Sequence, residues 1–117
     1  MSDNQSTNTS NGCTPEQLKT WKAEYGECSI LKIELRGETI YLLDPEKSKN
    51  YFHTVKRALQ FTMQDDPASA GEVIFKECYL GGLGELSKID TNTPLYFDLC
   101  IKCSNLCSIA EGDFTKA

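Results

Sequence analysis

The sequence predicts an α+β fold, with one β-hairpin packed against about four helices and a disordered polar arm at the N-terminus. Three observations predict it: each of the four prolines follows a Thr or an Asp, residues 31–35 alternate apolar and polar before a glycine turn, and residues 2–12 contain no apolar side chain. A chain of 117 residues has the usual length of one domain. We therefore expect an arm over 1–13, a single compact domain over 14–112 and a frayed C-terminus over 113–117.

The overall charge narrows the classes of function. The chain has 12 Lys and Arg residues against 17 Asp and Glu residues, a formal net charge of -5 at pH 7. This acidic balance argues against a nucleic-acid binder, which normally carries a basic face, and against a polybasic membrane-surface protein. No apolar run approaches the ~20 residues that cross a bilayer, and the first residues lack the basic and apolar regions of a secretory signal. We expect an intracellular protein that binds neither nucleic acid nor membrane.

The prolines mark the predicted helix starts. Thr and Asp are good N-caps, and Pro suits the first helical position because its missing N–H costs nothing there. Helices are therefore predicted to span 15–25, 45–63, 67–80 and 94–110. In the first of these, Leu18, Trp21 and Tyr25 form an apolar stripe, which we interpret as a docking face.

The predicted hairpin needs a partner. Leu31, Ile33 and Leu35 lie on one face of the first strand, Gly37 provides the turn, and residues 39–43 form the return strand. Two strands alone are only marginally stable in water. The hairpin therefore requires either helices over its apolar face or strands from another subunit along its edges, and the sequence leaves both possibilities open.

The second predicted helix is the most basic segment. Its apolar face is expected to contain Tyr51, Val55, Ala58, Leu59 and Thr62 or Met63. Its basic residues are Lys47, Lys49, Lys56 and Arg57. A solvated helix face is the expected role of these charges, and an acidic or phosphate-bearing partner is the alternative. The single histidine, His53, has no obvious acid or nucleophile beside it and is expected at or near the surface.

Six cysteines occur in the chain, and we expect free thiols. In the last predicted helix, Cys100, Cys103 and Cys107 share the apolar face with Leu99 and Leu106. Packing of small apolar side chains is the favoured interpretation. A zinc site that adds Cys78 as the fourth ligand and a thioredoxin-type redox pair are the alternatives. Both are disfavoured because the only CxxC lies inside a helix, far from its N-terminus.

Motifs of common catalytic sites are missing from the sequence. It contains no HExxH, GxSxG, Walker A or GxGxxG, and the glycines of residues 81–84 lack the GK[ST] of a phosphate loop. The sequence therefore predicts no catalytic residue, no cofactor and no enzymatic activity.

Two short motifs carry a family resemblance. Residues 21–26 read WKAEYG, and residues 70–82 read AGEVIFKECYLGG. Together with the hairpin between them, these segments are similar to small bacteriophage proteins of the tail-assembly-chaperone type, which share a W-K-x-x-Y/H-G opening and an A-G-E-x-[IL]-[IFL]-x-x-C-[WYI]-x-G-G helix end. The resemblance covers about 15–110, and the cysteine-rich last helix departs from it. It implies a non-catalytic protein that escorts aggregation-prone tail proteins during assembly.

The partner implied by the resemblance is a phage tail or other virion protein in the host cytoplasm. The unpaired edge of a two-stranded sheet also allows a second copy of the chain as partner. A minor structural component of the virion (a connector, head or tail protein) is the first alternative function. A small cysteine-dependent metal or redox regulator is the second. The expected partner-binding residues lie on an exposed hairpin edge and at helix ends, where aromatic side chains favour protein contacts. They are Trp21, Tyr25, Ile40, Tyr41, Tyr79 and Leu80.

Overall fold

The computed structural model describes residues 14–106 and 116, and it confirms the α+β fold. The helices are α1 (Pro15–Tyr25), α2 (Tyr51–Met63), α3 (Pro67–Cys78) and α4 (Pro94–Ser104). The strands are β1 (Ile30–Leu35), β2 (Glu38–Leu43) and β3 (Tyr79–Gly81). Single 3-10 turns lie at Glu27–Ser29, Pro45–Lys47 and Leu86–Lys88. Three predictions fall outside the described residues. They concern the arm over 1–13, Cys107, and the end of the last helix with the chain terminus, of which only Lys116 is described.

The capping prediction is confirmed at all four prolines. Each preceding side-chain oxygen accepts a hydrogen bond from a backbone N–H of the first turn, at donor–acceptor distances of 3.1 to 3.2 Å. The four capping residues are Thr14, Asp44, Asp66 and Thr93. These bonds satisfy N–H groups that have no partner within the helix, so each Pro position is fixed as a start.

The prediction of one continuous helix over 45–63 is wrong. The turn that begins at Pro45 is a 3-10 turn ending at Lys47, and α2 begins only at Tyr51. Ser48 explains the break: its backbone is extended and its hydroxyl accepts from the Asn50 N–H at 3.1 Å. Such side-chain bonds compete with helical hydrogen bonding.

The predicted apolar face of α2 is confirmed in its middle part and is wrong at its two ends. Thr54 and Ala58 are the buried residues of α2, whereas Tyr51 and Met63, which we expected in the apolar face, are 41% and 79% exposed. The inward face also contains the polar Thr54, which an apolar pattern does not indicate.

The third helix is shorter than predicted, and its expected end forms a strand. α3 stops at Cys78, and Tyr79–Gly81 pairs antiparallel with β2, placing Gly81 opposite Tyr41. The Tyr79 hydroxyl donates to the carbonyl of Gly84 at 2.6 Å and accepts from the N–H of Leu83 at 2.8 Å, which holds the strand exit in place. The sheet therefore has three strands in the order β1-β2-β3, with β2 in the centre.

The core lies between one face of this sheet and three helices. Ile40 and Leu42 of β2 pack with buried side chains of α2, α3 and α4. The Phe75 ring stands at its centre, with ring centroids 5.1 Å from Tyr79 and 5.7 Å from Tyr96. The buried apolar residues are Ile40, Leu42, Leu43, Ala58, Ala70, Ile74, Phe75, Cys78, Tyr96, Leu99, Cys100 and Cys103.

Helices α3 and α4 meet backbone to backbone. A Cβ atom added at Gly71 would overlap the carbonyl oxygen of Cys100 and would lie 2.9 Å from the backbone nitrogen of Ser104. Only a residue without a side chain fits at this crossing. In the segment 14–106, no helix is long and apolar enough to cross a membrane.

Candidate functional site

The outer edge of β1 is the open side of the sheet. β1 pairs with β2 in the register Ile30↔Leu43 through Leu35↔Glu38, and the Asp44 N–H donates to the Ser29 carbonyl at 2.7 Å. Hydrogen-bonded pairs alternate in an antiparallel ladder. Leu31, Ile33 and Leu35 therefore bond to β2, and the N–H and C=O groups of Ile30, Lys32 and Glu34 point away from it.

No other segment of the described chain pairs with this edge. The strand order ends at β1, and no backbone hydrogen bond from another segment of residues 14–106 reaches Ile30, Lys32 or Glu34. An edge strand with unpaired N–H and C=O groups is a template for a further strand. The edge of β1 is therefore a candidate site for binding an extended polypeptide.

The side chains of β1 divide between two faces of the sheet. Lys32 and Glu34 are exposed and form an ion pair at 3.5 Å between Nζ and Oε2. Leu31, Ile33 and Leu35 point to the other face, where they are half-buried against the core. A strand laid along β1 would thus meet a charged row on one face and an apolar row on the other.

The end of the hairpin is held in position by a contact to α4. Arg36 and Gly37 have φ values of 49° and 84°, the combination of a type I′ turn, which matches the twist of the two strands. Arg36 Nε donates to the Asp98 carboxylate at 2.7 Å. The six-residue pairing with β2 orders β1, and this ion pair adds one link at the turn. An ordered edge lowers the entropic cost of pairing.

The expectation of an exposed hairpin edge at Ile40 and Tyr41 is wrong. Both residues lie on β2, the central strand, and Ile40 is fully buried in the core. The physical reason is β3, which pairs with β2 on the side that the sequence pattern left open. The free edge of the hairpin is therefore on β1.

The aromatic residues expected to bind a partner make contacts within the chain. Trp21 packs on Tyr41, with ring centroids 6.0 Å apart, and a Cβ atom at Gly81 would lie 2.7 Å from Cη2 of its indole. Trp21 therefore docks α1 on the sheet face opposite the core. Tyr25, Tyr79 and Leu80 are half-buried against the core. A role of these side chains in partner binding stays a prediction.

A second exposed surface lies on α2. Phe52 and Met63 are 70% and 79% exposed, and the Lys56 ammonium lies 5.8 Å from the centroid of the Phe52 ring. The Lys56 charge thus lies beside an exposed aromatic side chain. The acidic or phosphate-bearing partner suggested by the sequence stays a prediction.

The buried cysteines confirm part of the packing interpretation. Cys100 and Cys103 are 3% and 1% exposed beside the fully buried Leu99, whereas Leu106, expected on the same face, is 37% exposed. Cys78 is 1% exposed. Burial raises the pKa of Cys78 to about 12 and that of Cys100 to about 11. Burial, with the Cys100 and Cys78 thiols nearby, raises the pKa of Cys103 to about 12.

These pKa values bear on the metal and redox alternatives. The thiolate is the form that binds zinc and attacks disulfides, and the raised pKa values keep the thiols of Cys78, Cys100 and Cys103 protonated at neutral pH. Within 14–106, no group of three His, Cys, Asp or Glu side chains lies close enough to hold a metal ion. Cys107, the remaining zinc candidate, lies outside the described residues.

A cleft of about 460 Å³ separates α2 and α3. Its two carboxylates have partners: Glu72 accepts from the Tyr96 hydroxyl at 2.7 Å, and Glu77 accepts from Asn50 Nδ2 at 3.0 Å. Burial and the bond to Glu72 raise the pKa of Tyr96. His53 lines the cleft at its exposed side. Glu77 thus connects α3 to the start of α2, whereas Glu72 connects α3 to α4.

No protein-family model, curated protein or solved structure matches the chain. Assignment of a function therefore rests on the described geometry and on the resemblance in the sequence. The β1 edge was missed because periodicity shows which face of a strand is apolar but not which edge is paired. The apolar run Tyr79-Leu80 before two glycines was the available signal for β3.

Proposed function

We propose that the protein is a non-enzymatic assembly protein that binds another polypeptide along the outer edge of β1. The open edge carries this proposal. Six residues of β1 present a fixed row of backbone groups, of which those of Ile30, Lys32 and Glu34 point outward. Strand addition at such an edge gives affinity through main-chain hydrogen bonds and tolerates varied partner sequences. This tolerance suits a chaperone with aggregation-prone partners.

The partner class follows from the resemblance to phage tail-assembly chaperones, and it is a phage tail or other virion protein. Extended segments of unassembled tail proteins expose unpaired strand edges, which are prone to aggregate. Capping such a segment with β1 would keep it soluble in the host cytoplasm until assembly. The charged row of Lys32 and Glu34 on the outer face of the sheet would keep the capped product from adding further layers of strands.

Co-expression tests this proposal. The full chain is produced together with the tail proteins encoded beside it, and the soluble fraction of each tail protein is measured. Lys32→Pro removes an N–H that points outward and is free of β2, so the fold survives while strand addition is blocked. Lys32→Ala is the matched control, because it removes the same charge and keeps the N–H.

We expect wild type and Lys32→Ala to raise the soluble fraction of a tail protein several-fold and Lys32→Pro to lose the effect. Circular dichroism verifies that both variants fold. Equal activity of Lys32→Pro and Lys32→Ala would reject the edge as the binding site. A second measurement separates a chaperone from a virion component: mass spectrometry of purified particles should detect no copy of this chain.

A further inference from the structure

The side chains of β1 have a pattern that favours pairing with themselves. A lysine on an edge strand normally opposes the approach of another strand. Here Glu34 follows Lys32 at the next position on the same face, so the row contains one charge of each sign. Two copies of such a row are complementary when they run antiparallel.

The outward backbone groups limit the registers available to two copies. In a two-fold antiparallel pair, the residues that exchange hydrogen bonds must both have outward backbone groups. Three central registers meet this condition. One sets Lys32 opposite the partner's Lys32, a second sets Glu34 opposite the partner's Glu34, and a third sets Lys32 opposite the partner's Glu34.

Only the third of these registers places opposite charges face to face. Like charges directly opposite each other are destabilising, and opposite charges are stabilising. The third register repeats its ion pair by symmetry, because Glu34 then also lies opposite the partner's Lys32. The charge pattern therefore selects one register.

The same register matches the apolar row. The two-fold axis then passes at Ile33, which faces the partner's Ile33, and Leu31 faces the partner's Leu35. These positions are the non-hydrogen-bonded pairs of the new ladder, in which opposing side chains lie closest. Leu31, Ile33 and Leu35 are half-buried in one copy, so a second copy would cover apolar surface that is still accessible.

We propose that the β1 edge binds a second copy of this chain, forming a two-fold dimer with a continuous six-stranded sheet and the axis at Ile33. The proposal rests on the proposed function, since it names a partner for the same edge. A six-residue edge makes a small interface, so we expect a weak and reversible dimer. Tail proteins and the second copy then compete for one edge.

Sedimentation velocity of the full chain, over concentrations from roughly 1 µM to 1 mM, measures this dimer. Lys32→Glu sets the introduced carboxylate opposite the partner's Glu34, and Glu34→Lys sets the introduced ammonium opposite the partner's Lys32. Each variant replaces two attractive pairs by two repulsive pairs. We expect each to weaken dimerisation roughly 10- to 50-fold. Both positions are exposed, so the folded monomer is retained.

Two matched controls follow, of which the first examines the register and the second examines the charge pairing. The double variant Lys32→Glu with Glu34→Lys restores opposite charges only in the third register, and we expect its dimer to be as stable as that of wild type. A mixture of the Lys32→Glu and Glu34→Lys variants should form a heterodimer, although each alone is mainly monomeric.

A wild type that stays monomeric over the whole range overturns the self-pairing. A dimer that is as stable in both single variants as in wild type also overturns it, because another surface then forms the interface. These results leave the proposed function standing if Lys32→Pro still abolishes solubilisation of a tail protein. If wild type stays monomeric and Lys32→Pro still solubilises a tail protein, the proposed function is rejected as well.

Discussion

At the crossing of α3 and α4, the backbones of the two helices are in contact. At the outer edge of β1, by contrast, the outward backbone groups have no partner among the described residues. The first contact is closed so tightly that Gly71 has no room for a methyl group. At β1, the outward N–H and C=O groups of Lys32 and Glu34 have no backbone partner within 14–106. Within 14–106, the backbone is thus closely packed between the two helices and unpaired along one edge of the sheet.

The comparison separates stability from binding. Residues at the helix crossing, together with the cysteines behind them, hold the fold and have almost no exposed surface. The charged side chains of the β1 edge contribute little to the stability of the fold, because exposed ion pairs are worth less than about 1 kcal/mol. Substitutions at the two places should therefore have different effects, on folding at the crossing and on association at the edge.

The largest effect is expected at the helix crossing. Gly71→Ala places a methyl group against the Cys100 carbonyl and forces α3 and α4 apart. We expect a net fall in the free energy of unfolding of about 3 kcal/mol or more. This fall occurs although alanine is favoured over glycine in a helix by roughly 1 kcal/mol. Chemical denaturation measures this change.

Gly37→Ala is the control for that variant. Gly37 has a φ of 84° and open space around it, so alanine there adds backbone strain without overlap. A loss of about 1 kcal/mol is expected. If Gly71→Ala proves no more harmful than Gly37→Ala, the tight crossing is refuted.

A smaller effect is expected from alkaline pH. The buried Cys78 and Cys103 thiols have a pKa of about 12 in the folded chain, against 9.0 for an unperturbed thiol. Above pH 9 the unfolded chain therefore loses protons that the folded chain retains, and stability falls as pH rises toward 12. Each buried thiol should lower the free energy of unfolding by about 1 kcal/mol at pH 10.

Two alanine variants isolate this pH dependence. Cys103→Ala removes one buried thiol and should make the fall between pH 8 and pH 10 shallower by about 1 kcal/mol. Cys28→Ala removes an exposed cysteine and leaves the three buried thiols in place. An identical pH profile in wild type and Cys103→Ala would show that the buried thiols do not control alkaline unfolding.

The sequence was sufficient for features that local chemistry decides. Thr14, Asp44, Asp66 and Thr93 all act as caps, because a side-chain oxygen next to a helix start needs no distant partner. The hairpin and the burial of Cys100 and Cys103 were likewise predicted, since alternation and a shared helix face are visible in the chain itself.

Features decided by distant contacts were missed. The Ser48 hydroxyl, whose local bond to the Asn50 N–H breaks the helix, also donates to Glu77, 29 residues away. Asn50 Nδ2 donates to the same carboxylate, 27 residues away, so a distant contact supports the break. Tyr79 belongs to β3 and not to the end of α3 because its backbone pairs with β2. That same pairing moved the candidate site from β2 to β1, so the open edge could be identified only once the third strand was located.

Backbone amide exchange along β1, followed by NMR, tests the open edge most directly. In dilute protein the amides of Lys32 and Glu34 should exchange rapidly, and those of Leu31 and Ile33, bonded to β2, should exchange slowly. When the edge is occupied, by a tail protein or by a second copy at high concentration, the Lys32 and Glu34 amides should become at least about tenfold slower. Lys32 and Glu34 amides that are already protected in the dilute monomer, or that stay fast while a partner is bound, would contradict β1 as the binding edge.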